Sequence, residues 1–591
     1  MADDEKLEQL KGDKKLPFHI LAKRLWHYIK LESIWFILSF FLVLVNVAIE
    51  AIMPKFIGWI VAELDVSTGN PSLYYIIWIA LGYFVLSVIS YIFYYIQGVM
   101  LQKTGQRIIY NLRMEVFEHI ESMSQNQFNE MPVGSLVTRV TNYTSSMSDL
   151  FTNVLVNLVK NVLMVIAVFV MMMIVSWYLA LIQLGFLVIV FIISYIFRTI
   201  VYRVFKSERQ YLSEMNTFVN ENLSGMKIIQ IFNQQKRKEN EFLVKNENLR
   251  KTRYKVVLAF GLYRPALTLL YYTAIVVTFL VGMNSAMTAA VAVEFYLYVS
   301  RFFNPVQTIA DQLNAIQKAN TACERLFNLL DVKPEVLDSP EARDIESFTG
   351  KIEFRHVWFA YEKENWILKD VSFVVEPKQT VAFVGATGAG KTTILGLIVR
   401  NFEIQKGQIL IDDIDIKDIK VKSLRKHIGQ MLQDVFLFSG TMRDNITLHD
   451  DKYTNDEIMA ACRYVNADSF IEKSAKGLDE VVIERGENYS QGQRQLISFA
   501  RTVLSEPQIL ILDEATANID TETEVLIQES LEKMKNIGTM LIVAHRLSTI
   551  QKADQIIVLQ HGEVIEKGNH QSLLKNKSYY YKLYKLQFTQ N

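Results

Sequence analysis

Charged residues are spread very unevenly along this chain. Residues 73–100, 178–197 and 265–293 contain no charged side chain at all. A bilayer core about 30 Å thick is crossed by about 20 apolar helical residues, so each run is read as membrane-spanning. Residues 34–53, interrupted by Asn46 and Glu50, and residues 161–177 read as one span each. The run after Pro265 divides at Gly282-Met283-Asn284-Ser285 into a helix ending near Leu280 and another from about Ala289 to Val306, giving six spans in all. The connections at 101–150 and 198–255 are amphipathic, and their apolar residues, such as Leu223, Met226, Ile229 and Phe232, recur at helical spacing. They are expected to be helices that extend the spans beyond the bilayer.

Positively charged flanks stay in the cytoplasm. Residues 61–72 hold no Lys or Arg, whereas 198–255 and the first 24 residues are rich in both. Short connections therefore face outward and both termini are cytoplasmic. The late, long first apolar run does not read as a cleavable signal. A polar stretch beginning Asp331-Val332-Lys333-Pro334 then leads into a region of soluble character. The expected domains are a cytoplasmic segment at 1–33, a membrane domain at 34–331, a linker at 332–349 and a soluble α/β domain at 350–591.

Composition adds exclusions. Lys and Arg total 62 against 62 Asp and Glu, so no basic excess points to nucleic acid. The two cysteines, Cys323 and Cys462, are too few and too far apart for a disulfide framework or a zinc site. Few cysteines, no organelle-targeting segment and free use of Lys, Ile and Asn suit a bacterial inner membrane.

The chemistry lies in the soluble region. The β-branched run Thr380-Val381-Ala382-Phe383-Val384 leads into Gly385-Ala386-Thr387-Gly388-Ala389-Gly390-Lys391-Thr392 and a helix-like segment starting at Thr393. Glycines here let main-chain amides wrap phosphates at a helix N-terminus. Lys391 would reach the β and γ phosphates and Thr392 would offer its hydroxyl to Mg²⁺. The apolar strand at 508–512 ends in Asp513, suited to the magnesium shell, and Glu514, suited to polarising the attacking water. A third strand, at 540–544, delivers His545 to the same edge as a γ-phosphate sensor. Ser490 and Gly492, at the start of another helical pattern, form a second anion-binding element.

These motifs, in this order, resemble those of the ATP-binding-cassette transporters in their exporter form, and the resemblance spans essentially the whole chain. It implies a six-helix membrane domain with long cytoplasmic extensions followed by a P-loop ATPase domain. The nucleotide set it implies is Gly385, Thr387, Gly388, Ala389, Gly390, Lys391, Thr392, Thr393 and Asp513, with Tyr361 stacking on adenine. Gln433 matches the residue that touches Mg²⁺ and water, Asp520 the D-loop, and Glu484-Arg485-Gly486 the loop facing the coupling helices. Ser490, Gly492 and Gln493 fall in the signature that closes over the ATP of a partner cassette. One cassette per chain implies a half-transporter whose inner loops, around residues 128–144 and 209–218, transmit closure.

Two departures stand out. The signature reads Tyr-Ser-Gln-Gly-Gln, with Gln491 where a glycine is usual, and Gln491 is expected to restrict the backbone and weaken catalysis across the interface. With Lys391, Asp513, Glu514 and His545 intact, this resembles one subunit of a heterodimeric multidrug exporter. Its partner would be a different chain carrying an intact signature and an altered counterpart of Glu514. Tyr143 stands where many relatives have an acidic residue. Glu50 and Glu294, within spans, are candidate contacts for hydrophobic or cationic small molecules. The expected function is ATP-driven export of hydrophobic or amphipathic compounds by alternating access; the alternatives are a dedicated lipid or peptide exporter, with a homodimer of this chain among the options, and an ATP-gated channel or regulator.

Overall fold

The computed structural model describes residues 16–64, 72–284, 287–362, 365–432, 434–513, 520–544 and 547–588. The chain divides into two compact units. One comprises Met1–His119 and Val133–Val332; the other comprises Ile120–Pro132 and Lys333–Asn591.

The first unit is helical. A short helix, Phe18–Leu31, precedes span helices Ser33–Glu63, Leu73–Ser122, Leu155–Val175, Trp177–Ser224, Gln235–Asn284 and Ala289–Leu330. Inside a bilayer only intra-segment hydrogen bonding satisfies the main chain, which is why the apolar runs are continuous helices. The inner connections are helical for most of their length: the span helices continue to Ser122 and to Ser224, a break at Gly225 interrupts the second connection, and its return helix begins at Gln235. Among the described residues, five helices are long and apolar enough to cross a membrane. The sixth expected span forms a helix, but its length includes Glu294, Arg301 and a polar C-terminal half. It nevertheless packs its buried Phe295, Val299, Phe302 and Phe303 into a core with Val43 and Val47 of the first span and Val168 and Met172 of the third.

The third span is reached through two π-helical turns, Arg139–Tyr143 and Leu150–Val154. In the run Thr141-Asn142-Tyr143-Thr144-Ser145-Ser146, four hydroxyls donate to carbonyls one turn back. Such back-bonding competes with the regular ladder and accounts for its local widening. Tyr143 has a partner of its own: Arg325 donates to its hydroxyl at 2.6 Å and lies over its ring. The phenol thus occupies this cation where an acid would form an ion pair.

Among the described residues the second unit contains twelve strands. β1 (Ile352–Ala360), β2 (Trp366–Val375), β4 (Lys406–Ile411) and β5 (Ile414–Asp415) form an antiparallel sheet in the order β2-β1-β4-β5. β3 (Thr380–Val384), β6 (Ile428–Met431), β9 (Ile509–Asp513), β10 (Thr539–Val543), β11 (Gln555–Gln560) and β12 (Glu563–Gly568) form a mostly parallel sheet in the order β12-β11-β3-β10-β9-β6. β7 (Gly440–Thr441) pairs with β8 (Val481–Val482). The inner strands β3 and β10 are buried at every position, as a two-sided parallel sheet requires.

Ile120–Pro132, between two membrane helices in sequence, belongs to this second unit. Its turn Gln125–Asn129 is capped reciprocally by Ser124 and Gln127. The Ser124 hydroxyl donates to Glu335 at 2.9 Å and the Gln127 amide donates to the Lys333 carbonyl at 2.8 Å. The inner-loop turn is thereby tied to the segment that follows the sixth span.

Buried Arg400 organises the linker side of the ATPase unit. It donates to the carbonyls of Leu337, Ile416 and Ile419 at 2.9, 3.3 and 3.1 Å and pairs with Glu403 at 2.8 Å. Arg400→Met would strand these acceptors at a cost of about 3 kcal/mol. Calorimetry of the purified protein should show the ATPase transition lowered by about 8 °C; an unchanged midpoint would refute this role.

Candidate functional site

β3, β10 and β9 are adjacent and parallel. In register, Phe383 lies beside Val543 and Val543 beside Asp513, while Met431 of β6 lies beside Leu512. The four strands therefore end at one edge, the side of an open α/β sheet where ligands bind. β3 runs into the glycine loop, and β9 ends on Asp513. Gln433, Glu514 and His545 lie outside the described residues; the first follows β6 by two positions, the second follows β9 directly, and the third follows β10 by two.

The loop has the geometry its sequence implies. Gly388 and Gly390 take positive φ of 82° and 97°, values that side chains rarely adopt. A Cβ on Gly390 would also stand 2.6 Å from Leu368, whereas Gly388 faces open space. Ala386, Thr387 and Gly388 are exposed and Ala389 is buried. The helix Lys391–Ile398 starts at Gly390, so Thr392 and Thr393 occupy its first turn, Thr392 exposed and Thr393 buried.

Lys391 is only 7 % exposed. Its ammonium donates to the carbonyls of Gly385 at 2.8 Å and Ala386 at 3.0 Å. Burial pulls its pKa down, and the charge of nearby Asp513 opposes that pull. A buried cation held mainly by carbonyl oxygens at a helix N-terminus fits a polyphosphate.

Tyr361 is 45 % exposed beside this helix. Its ring meets Phe359 and Phe402 edge-on at 4.9 and 5.2 Å. Its hydroxyl hydrogen-bonds that of Thr393 at 3.1 Å. This link orients the ring and is not evident from the sequence spacing.

Further along the chain, Ser490 caps the helix Gln491–Leu504. Its hydroxyl accepts from the Gln493 amide at 3.2 Å, and the Gln493 side chain accepts from the Ser490 amide at 3.0 Å. Gln491 is the first helical residue and is not among the residues with positive φ. The expected backbone restriction is therefore corrected: any residue fits this conformation, and what Gln491 adds is an exposed side chain beside the helix N-terminus. Gly492 is buried. Asp520 caps the helix Thr521–Met534 by accepting from the Thr523 amide at 2.9 Å, a bond that lowers its pKa. Arg485, at φ 57°, offers its carbonyl to Arg494. Arg485, Gln491, Arg494, Asp434 and Phe436 line a cleft of about 310 Å³.

In the membrane unit, neither candidate carboxylate is free. Lys160 pairs with Glu50 at 3.1 Å and Lys55 with Glu294 at 3.4 Å. This removes the observation on which cation binding rested. Lys55 and Arg301 are residues that the sequence reading missed: the first helix runs past the expected end at residue 53 and so includes Lys55, and Arg301 lies in the sixth expected span.

Two family models match. Residues 36–308 match the ABC transporter transmembrane region and residues 368–517 the ABC transporter domain. The chain belongs to the ABC transporter family. This transporter is 38% identical over 509 residues to the "Probable multidrug resistance ABC transporter ATP-binding/permease protein YheH" of Bacillus subtilis, covering 85% of this chain and 75% of that one. It is 33% identical over 543 residues to the ATP-dependent lipid A-core flippase of Syntrophus aciditrophicus, covering 87% and 86%. Its fold is similar to that of a bacterial Atm1-family ABC exporter solved with ATP bound, at TM-score 0.77 and 24% identity over 95% of this chain and 98% of that one. It is a multi-pass membrane protein with fused membrane and ATPase domains, and ATP hydrolysis drives its transport.

In the nucleotide-free transporter, Lys391→Met should loosen the glycine loop by removing its two carbonyl contacts. Hydrogen exchange across residues 385–390 should rise by about tenfold, as loss of a charged hydrogen bond implies; unchanged exchange would show that the lysine does not hold the loop.

Proposed function

We propose that this ABC transporter exports hydrophobic or amphipathic compounds across the bacterial cytoplasmic membrane, as one half of a complex of two different chains with unequal ATP sites. The carrying observation is the contrast between a complete glycine loop around buried Lys391 and a signature helix whose first residue is Gln491. Short connections face outward and both termini lie in the cytoplasm.

The residues divide the work. Main-chain amides of the loop and the Lys391 ammonium hold the triphosphate, and Tyr361 stacks on adenine. Thr392, Asp513 and Gln433 supply oxygen donors for Mg²⁺, which neutralises phosphate charge when bound. Among the described residues no three His, Cys, Asp or Glu gather as a metal cage, and none is required, because Mg²⁺ commonly takes one or two carboxylates plus substrate phosphates. Glu514 orients and polarises the attacking water, and His545 senses the γ phosphate. Ser490, Gly492 and Gln493 present a helix N-terminus to the ATP held by the partner, with Asp520 at the seam. There the exposed side chain of Gln491 crowds the approach of phosphate, so the partner's signature, laid over this chain's complete loop, supports the faster site. The partner's own ATP, facing Gln491, is held more than it is turned over. Cassette closure passes through the inner-loop turn at Gln125–Asn129, which Ser124 and Gln127 bind to the linker.

Names of relatives in both the multidrug and lipid groups support an amphipathic substrate. Glu50 and Glu294 are matched by lysines, so neither offers a free carboxylate to a cationic substrate.

Inside-out vesicles containing the complex should accumulate a hydrophobic dye only with ATP. Glu514→Gln should keep ATP binding and lose at least about a hundredfold in turnover. Dye that equilibrates without accumulating would favour a channel, and near-normal turnover would remove Glu514 from its role. Tyr361→Ala should weaken ATP binding about tenfold, with Tyr361→Phe close to the original protein; equal loss in both would show that the hydroxyl, not the ring, matters.

A further inference from the structure

Every charged side chain deep in the spans can be counted. Helices Ser33–Glu63, Leu155–Val175 and Ala289–Leu330 have their ends Glu63, Val175 and Ala289 at the short-connection side. At about 1.5 Å per residue, Glu294 lies about 8 Å and Lys55 about 12 Å from those ends, while Arg301, Glu50 and Lys160 lie about 18 to 22 Å in. The second, fourth and fifth spans carry no charge over the same depth. The set therefore holds three cations and two carboxylates.

Both carboxylates are used. Glu50 takes Lys160 and Glu294 takes Lys55. Arg301 has no ion pair among the described residues; one Nη donates to the Glu50 carbonyl. A guanidinium carries five donors in a planar fork, so this contact leaves most of them unassigned. One turn earlier on the same helix, Tyr298 is fully buried and its hydroxyl has no hydrogen-bond partner among the described residues. A charge without an ion pair of its own at this depth is expensive and marks a functional position.

We infer that Arg301, with Tyr298 one turn earlier on the same helix, forms a head-group site for an amphiphile bearing one anionic group, a carboxylate, sulfonate or phosphate on an apolar body. The site rests on the export reading and names its substrate class. The Arg fork matches the planar oxygens of such a head, and the surplus charge in the membrane disfavours cationic heads. Lys160, lying over the Tyr94 ring, is paired to Glu50, so that one carboxylate serves two cations, Lys160 and the nearby Arg301.

The test uses inside-out vesicles carrying the full complex and three fluorescent twelve-carbon probes that differ only in the head: carboxylate, hydroxyl and trimethylammonium. A fluorescent phosphatidylglycerol run alongside distinguishes a membrane lipid from a single-chain source. ATP-dependent uptake should favour anionic over cationic heads, and Arg301→Gln should lower the anionic-to-neutral ratio about tenfold, the loss of one charged hydrogen-bonding partner. Arg301→Lys should restore part of the ratio, which a folding defect in the Gln variant could not explain. Uptake of the neutral probe with no anionic preference, or an unchanged ratio in Arg301→Gln, would overturn the head-group site while leaving export intact. Hydrolysis of ATP with no probe accumulated would overturn both.

Discussion

Removing a polar group from water without a partner costs several kcal/mol, and the architecture follows from how each such cost is met. In the spans, main-chain groups are satisfied within each helix, and four of the five deep charges cancel in two pairs across helices. In the ATPase domain the same rule gives buried strands their parallel partners and buried Arg400 its three carbonyls. The exceptions are informative. Lys391 is buried against carbonyls beside a loop of exposed residues, and Arg301 has no ion pair of its own among the described residues. In the functions proposed above, each is a place that a negatively charged ligand would complete.

The ATPase site is built from rigid parts. Its loop is fixed by positive-φ glycines, by the strand before it and by the helix after it, so little rearrangement is needed to receive phosphate. The adenine ring's expected platform, Tyr361, is tethered to that same helix through Thr393. The signature helix uses the Gln493 amide and the preceding Ser490 amide in a reciprocal cap, leaving Gln491 at its exposed tip. Two differently built helix ends in one chain suit two ATP sites that differ.

The sequence made the local features legible because each depends on short-range rules. Uncharged runs became helices, and the glycine spacing became a phosphate loop. Features set by distant partners were hidden. Nothing near Tyr143 announces Arg325, and nothing near Glu50 or Glu294 announces Lys160 or Lys55, each more than a hundred residues away. The effect assigned to Gln491 also changed, because a residue's φ depends on where the helix begins, and Ser490 sets that start. The turn at Gln125–Asn129 sits with the ATPase unit through contacts to Lys333 and Glu335, which sequence distance conceals.

The central claim is asymmetry, two different chains making two different ATP sites. It is tested most directly by the native mass of the complex drawn from its own membranes through a tag on this chain. The prediction is one 68.3 kDa chain together with one copy of a different ABC half-transporter. A mass of two copies of this chain alone would contradict it.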